Sequence, residues 1–162
     1  MRLVFIGPPG AGKGTQCQRL SIELSIPHIS SGEMLRASKD DSKIGALIAS
    51  YIDHGNLVPD EVVMRFMVER LRSDDCNNGY LLDGFPRTII PAKEFDEYLE
   101  QHDQHFDAVI QLVAEEQELI SRLLKRAKVE NRADDTLETI TSRLEIFRQR
   151  TAPVLDFYAS QG

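Results

Sequence analysis

The 162-residue chain has only two cysteines, no long apolar run and no excess of basic residues. Cys17 and Cys76 lie far apart without a CxxC spacing, so they indicate neither a zinc site nor a disulfide framework. The chain has no stretch of about 18 apolar residues, which excludes a membrane-spanning helix. We therefore expect two reduced thiols in a cytoplasmic protein that has no membrane partner.

The charge of the chain also excludes a class of partner. Nineteen basic and 26 acidic residues give a net charge of −7, whereas a non-specific nucleic-acid binder usually carries a basic surplus. The charge is unevenly spread, because residues 1–27 carry +2 and residues 122–150 carry +3, while residues 28–121 carry −11. We expect no nucleic-acid partner, but the two basic segments could bind a small phosphorylated ligand.

Short apolar runs alternate with longer helical patterns, and no repeat or linker divides the chain. We predict strands at 3–6, 28–29, 80–82 and 108–112. We predict helices at about 13–24, 31–38, 43–53, 60–71, 88–100, 115–126 and 137–158. This alternation predicts a single α/β domain with a doubly wound parallel sheet and helices on both of its faces. Ligands bind such sheets at the carboxyl ends of the strands, where Gly7, Ser30 and Asp83 stand.

The segment 7–15, Gly-Pro-Pro-Gly-Ala-Gly-Lys-Gly-Thr, follows a predicted strand and opens a predicted helix. Glycines let successive backbone amides converge on a phosphate, and a helix N-terminus adds partial positive charge. Lys13 could then reach the β- and γ-phosphates of a nucleotide. Gly14 stands directly after this lysine, where the general pattern has a serine or threonine for magnesium. We therefore expect magnesium to be held through water, the phosphates and Asp83.

Five segments of the chain, in order, resemble the adenylate kinases. They are residues 7–16, 31–36, 83–88, 131–135 and 150–153, and they are spread over nearly the whole chain. The resemblance implies a P-loop fold and reversible, Mg²⁺-dependent phosphoryl transfer from ATP to AMP, giving two ADP and balancing the adenine nucleotides. The expected partners are ATP and AMP, bound by a monomer.

The resemblance also implies roles for particular residues. It implies that the ATP phosphates bind Arg126 and the phosphate-loop residues Gly10, Ala11, Gly12, Lys13, Gly14 and Thr15. It implies that AMP contacts Ser31, Arg36, Asn56, Leu57, Val58, Gly84, Phe85, Pro86, Arg87, Arg132 and Arg143. The implied catalytic residues are Lys13, Arg87, Arg122, Arg132 and Arg143. Thirteen arginines against six lysines suit this chemistry, because a guanidinium binds two phosphate oxygens and stays charged.

The chain departs from the family pattern in three places. The lid predicted at 126–132 is shorter than the lid of many relatives, which sometimes binds zinc, so we expect no zinc here. The resemblance implies that residues 30–58 form the monophosphate-binding segment. Pro91 stands where many relatives have a glutamine that pairs with adenine, which weakens the expected discrimination of AMP. The strand and helix with which relatives continue are not found before Gly162. A UMP- or CMP-type kinase and a nucleotide-binding module without turnover therefore stay open as alternatives.

Overall fold

The computed structural model describes residues 1–40, 44–130, 132 and 134–161 and contains a parallel sheet. Its four strands are β1 (Arg2–Ile6), β2 (His28–Ser30), β3 (Tyr80–Asp83) and β4 (Ala108–Gln111). They lie in the order β2-β3-β1-β4, so that β1 pairs with both β3 and β4. All four predicted strands are present, with ends that differ by one residue.

Helices connect the strands in the described part of the chain. They are α1 (Lys13–Leu24), α2 (Ser31–Ala37), α3 (Gly45–Ile52), α4 (Asp60–Leu71), α5 (Ile89–Glu100), α6 (Glu116–Val129), α7 (Leu137–Ile146) and α8 (Ala152–Ala159). The predicted helix start at Lys43 lies outside the described residues, as do Asn131 and Ala133 of one resemblance segment and the terminal Gly162. No helix of the described chain combines the length and the apolar character needed to cross a membrane.

The strand β1 shows how the sheet is covered on both faces. Its side chains alternate, because successive residues of a strand point to opposite sides. Val4 and Ile6 join a core that contains residues of α4, α5 and α8. Leu3 and Phe5 pack instead with Cys17 of α1. The predicted doubly wound α/β architecture is therefore confirmed.

Two smaller apolar clusters stabilise the segments beside the sheet. Leu35 of α2 packs with Ile48 and Ile52 of α3 and with Val58, and Val62, Val63 and Phe66 of α4 pack against the same cluster. The segment 30–58 is therefore packed together and joined to α4. A second cluster joins α6 to α7, and residues 126–129 of the predicted lid belong to α6.

The helix predicted at 137–158 is interrupted in the structure. Residues Phe147–Thr151 form a π turn between α7 and α8, and the Ala152 amide donates to the Phe147 carbonyl, five residues earlier. Pro153 explains the interruption, because proline has no N–H to donate and its ring clashes with the carbonyl four residues earlier. The apolar spacing of this segment fits a continuous helix and did not reveal the extra residue in the turn.

Candidate active site

One cleft of about 780 Å³ opens at the carboxyl ends of β1, β2 and β3. All the site residues proposed from the sequence line it. They are Gly10, Ala11, Gly12, Lys13, Gly14, Thr15, Ser31, Arg36, Asn56, Leu57, Val58, Asp83, Gly84, Phe85, Pro86, Arg87, Arg122, Arg126, Arg132 and Arg143. Segments that are far apart in the sequence therefore meet around a single cavity, where a ligand can contact all of them.

The phosphate loop between β1 and α1 has a backbone that needs glycine. Gly10 has φ +83°, in the left-handed region that side chains with a Cβ rarely adopt. A Cβ on Gly10 would also lie 3.0 Å from the Leu119 carbonyl oxygen. Gly12, the N-cap of α1, has φ +93°. The loop thus packs against α6 at Gly10 and leads directly into the N-terminus of α1, which favours a bound anion.

Lys13 lies inside this loop. Its Nζ donates to the carbonyl oxygens of Gly7 and Pro8, at 2.8 and 3.0 Å. Burial, together with the nearby charges of Arg87 and Arg126, lowers the pKa of Lys13 to about 8, although Asp83 opposes the shift. The lysine is therefore held at the mouth of the loop with its charge only partly compensated, and a phosphate group would stabilise it.

The loop after β3 positions Arg87. Ser31 Oγ donates to the Gly84 carbonyl oxygen at 2.6 Å, and Arg87 Nε donates to the same oxygen at 2.7 Å. Gly84 has φ +75°, and a Cβ there would lie 2.9 Å from Arg87 Nη2. Burial lowers the pKa of Arg87 below its ordinary value. Among the described residues, Arg87 Nε is the guanidinium nitrogen that has a hydrogen-bond partner, so the two terminal nitrogens can bind a ligand.

Two aspartates at the start of α7 organise the basic residues of α6 and α7. Asp135 Oδ2 accepts from Arg126 Nε and Nη2, at 2.8 and 2.6 Å, and its Oδ1 accepts from Arg143 Nη1 at 2.5 Å. Asp134 Oδ2 accepts from Arg143 Nη2 at 2.6 Å. The Asp135 side chain is fully buried, whereas Arg126 keeps 28% of its side chain exposed. The aspartates therefore hold two guanidiniums at the edge of the cleft.

The remaining arginines differ in their partners. Arg122 is half exposed and pairs with Glu118 on its own helix, at 2.7 Å, and Arg132 pairs with Glu130 at 2.5 Å. Within residues 1–39, 44–130, 132 and 134–161, neither Arg36 nor Arg87 has a carboxylate oxygen within 4 Å. Burial and the charge of Arg132 lower the pKa of Arg36 to about 10. A positive cleft in a protein of net charge −7 suits an anionic ligand with several phosphates.

Comparisons with known proteins point to the same family as the residues of this cleft. The family model described as "Adenylate kinase" matches residues 5–162. The chain belongs to the adenylate kinase family. It is 51% identical over 162 residues to the adenylate kinase of Rhodopirellula baltica, covering all of this chain and 83% of the relative. It is 46% identical over 163 residues to the adenylate kinase of Thermobifida fusca, covering 100% and 86%. The chain is thus an enzyme of a phosphotransferase family.

A third relative is longer than this chain over the region that matches. The adenylate kinase of Caldanaerobacter subterraneus subsp. tengcongensis is 40% identical over 190 residues, with 100% of this chain and 86% of the relative covered. That span is longer than the chain itself, so the relative has residues within the matched region that this chain lacks.

Several contacts around the cleft were not anticipated from the sequence. His28 Nε2 lies 3.5 Å from Asp83 Oδ2, and Thr88 Oγ1 donates to Asp60 Oδ2 at 2.8 Å. Thr151 Oγ1 donates to the Arg87 carbonyl oxygen at 2.9 Å. These three pairs join residues that are at least 28 positions apart, and a single sequence carries no signal for such pairs.

Proposed function

We propose that the protein transfers a phosphoryl group reversibly from ATP to AMP, forming two ADP and balancing the adenine nucleotides. The observation that carries this proposal is the single cleft with a phosphate loop and Lys13 on one side and Arg36 and Arg87 on the other. Charge interactions link the two sides, because Arg87 influences the pKa of both Lys13 and Arg36. The proposed location is the cytoplasm, which the buried free thiols of Cys17 and Cys76 support.

The chemistry needs positioning and charge rather than a nucleophilic side chain. A phosphate oxygen of AMP forms the new bond to the γ-phosphorus of ATP, and the bond from that phosphorus to the β–γ bridging oxygen breaks. The charge of the transferring group spreads over its oxygens, where Arg87, Arg132 and Arg143 would neutralise it. Lys13 and the loop amides would hold the donor phosphates, with Arg122 and Arg126 beside them.

Water must be excluded during this step, because it would otherwise accept the phosphoryl group. Arg36 and Val58 of the segment 30–58 and Arg126 and Arg132 of the segment 126–132 line the cleft, and the first segment is packed around Leu35, Ile48, Ile52 and Val58. We infer that both close over bound nucleotides, as lids of such enzymes do. Asn56, Leu57 and Val58 then face the acceptor base from the segment that moves.

Magnesium fits the donor side of the cleft. Asp83 ends β3, and its Oδ2 would lie 3.5 Å from a Cβ built on Gly14 of the phosphate loop. Burial alone would raise the pKa of Asp83, but His28, Lys13 and Arg87 hold it below its usual range, so the carboxylate is ionised. One carboxylate together with substrate phosphates and water is a common Mg²⁺ environment in phosphoryl-transfer sites. When bound there, Mg²⁺ supplies charge neutralisation for the donor phosphates.

Pro91 favours a second candidate, a broader nucleoside monophosphate kinase. Pro91 is buried in the first turn of α5 and lines the cleft. Its side chain has no donor or acceptor for a base edge. Apolar contacts discriminate substrates by only about 100-fold, whereas a pocket built to hydrogen-bond a base gives far more. We therefore expect AMP to be preferred over UMP and CMP by no more than about 100-fold in kcat/KM.

The test is ADP formation from ATP in a coupled assay, with AMP, UMP, CMP and GMP offered separately. The expected result is fastest turnover with AMP and measurable turnover with the pyrimidine nucleotides. A preference for UMP would contradict the AMP assignment but leave a monophosphate kinase. If no acceptor supports turnover, the proposed reaction is wrong for this chain and nucleotide binding alone remains.

The pKa of Lys13 predicts a pH dependence on the alkaline side. Below about pH 8 the free enzyme has a charged Lys13, and above it the charge is lost, so donor binding weakens as the pH rises. We expect kcat/KM for ATP to fall with an inflection near pH 8, because kcat/KM reports the free enzyme. Bound phosphate favours the charged lysine, so kcat should not show this inflection. A flat kcat/KM from pH 7 to about pH 9 would contradict the assignment.

A further inference from the structure

The π turn between α7 and α8 brings a side chain to the loop that carries Arg87. Thr151 is the last residue of this turn and is buried, with only 8% of its surface exposed. Its hydroxyl donates to the Arg87 carbonyl oxygen at 2.9 Å, across 64 positions of sequence. Threonine in a regular helix often bonds back to its own helix, but here the hydroxyl bonds to a different element. π turns of this kind are frequent at functional sites.

The hydrogen bond from Thr151 complements the one that Arg87 makes itself. Arg87 Nε donates to the Gly84 carbonyl oxygen at 2.7 Å, which sets the direction of the guanidinium. Thr151 holds the main chain of the same residue through its carbonyl oxygen. Because both ends of the arginine are fixed, its two terminal nitrogens have a defined position in the cleft.

The other side-chain hydrogen bonds of this loop involve residues near Arg87 in the sequence. Ser31 Oγ donates to the Gly84 carbonyl oxygen, and Thr88 Oγ1 donates to Asp60. Neither bond reaches Arg87 directly. Among the side chains that the structure describes, Thr151 is the one whose hydroxyl donates to the Arg87 main chain.

We propose that Thr151 is a positioning residue for phosphoryl transfer, whose hydroxyl fixes Arg87 in the geometry that the transfer needs. The proposal rests on the proposed function, since it assigns Arg87 to the transferring phosphoryl group. Thr151 also lines the cleft, so direct contact with a nucleotide is the alternative that the experiment must separate. A misplacement of about 1 Å can cost roughly 100-fold in rate, so one lost anchor is enough to be measured.

The first test compares three variants in ADP formation from ATP and AMP. Thr151→Val keeps the size but removes the hydroxyl, and Thr151→Ser restores the hydroxyl. Thr141→Val is the matched control, because the exposed Thr141 donates only to Leu137 of its own helix. We expect Thr151→Val to lower kcat roughly 10- to 100-fold with little change in the KM for ATP. Thr151→Ser and Thr141→Val should stay near the wild-type kcat.

The second test asks whether Thr151 acts through Arg87. In an Arg87→Ala background, Thr151→Val should lower kcat no further, because the group it positions is gone. An equal fall in both backgrounds would overturn the proposal, as would a wild-type kcat for Thr151→Val. All assays are run well below the melting temperature of each variant, so that loss of folded protein does not enter the rates.

The third test is independent of activity. The NMR signal of the Arg87 Nε–H is assigned from its absence in Arg87→Ala. Its rate of hydrogen exchange reports how firmly the side chain is held. We expect exchange about tenfold faster in Thr151→Val and unchanged in Thr151→Ser. If the wild type forms no ADP, the proposed function fails, and this measurement still decides whether Thr151 holds Arg87. Unchanged exchange in Thr151→Val would overturn the positioning role.

Discussion

Replacing Arg87 with alanine is expected to lower kcat for ADP formation about 1000-fold. Arg87 is packed against the Gly84 carbonyl and has no carboxylate partner within 4 Å among the described residues, so its charge is available to the phosphates. Stabilisation of the transferring group by one arginine commonly contributes this much. Steady-state kinetics with ATP and AMP measure the effect.

Two further substitutions make the Arg87 result specific. Arg87→Lys keeps the charge but loses the planar fork, so it should recover only part of the lost kcat. Arg72→Ala removes an exposed arginine at the end of α4 and should leave kcat unchanged. Near-normal turnover of Arg87→Ala would remove this residue from the site.

Replacing Asp135 with asparagine is expected to lower the free energy of unfolding by about 3 kcal/mol. The fully buried carboxylate of Asp135 accepts from both Arg126 and Arg143, and its loss leaves two guanidiniums close together without that partner. Breaking a buried ion pair on one side costs this much, because the remaining charge is poorly compensated. Partial exposure of both arginines keeps the loss at the lower end of the usual range. Urea unfolding at equilibrium measures it.

The ion pair between Lys39 and Asp53 provides the matched control. Its atoms are also close, at 2.5 Å, but more than half of the Asp53 side chain is exposed. Exposed pairs contribute less than about 1 kcal/mol, so Asp53→Asn should change stability by no more than that. If both substitutions lowered the free energy of unfolding equally, burial of the carboxylate would not be the cause of the loss in Asp135→Asn.

The local features of this fold could be predicted from the sequence. The run at residues 3–6 predicted a strand, and the structure has β1 there, because a short apolar run ended by glycine leaves few alternatives. The phosphate loop was equally clear, since several glycines before Lys13 require a particular backbone. For such segments the information lies within about ten residues.

The long-range contacts could not be predicted in the same way. The basic segment 122–150 indicated phosphate binding, but not that Asp135 holds both Arg126 and Arg143. The apolar pattern of residues 137–158 predicted a continuous helix and gave no sign of the π turn, because one extra residue in a single turn hardly changes that pattern. The contact of Thr151 with Arg87 depends on that turn and therefore appears only in three dimensions.

The most direct measurement of the central claim is the product balance in a mixture of ATP and AMP, followed by ³¹P NMR. A phosphoryl transfer between the two nucleotides predicts two ADP for each ATP consumed, no release of inorganic phosphate, and the reverse reaction when ADP alone is supplied. Release of inorganic phosphate with AMP unchanged, or no consumption of ATP, would contradict it.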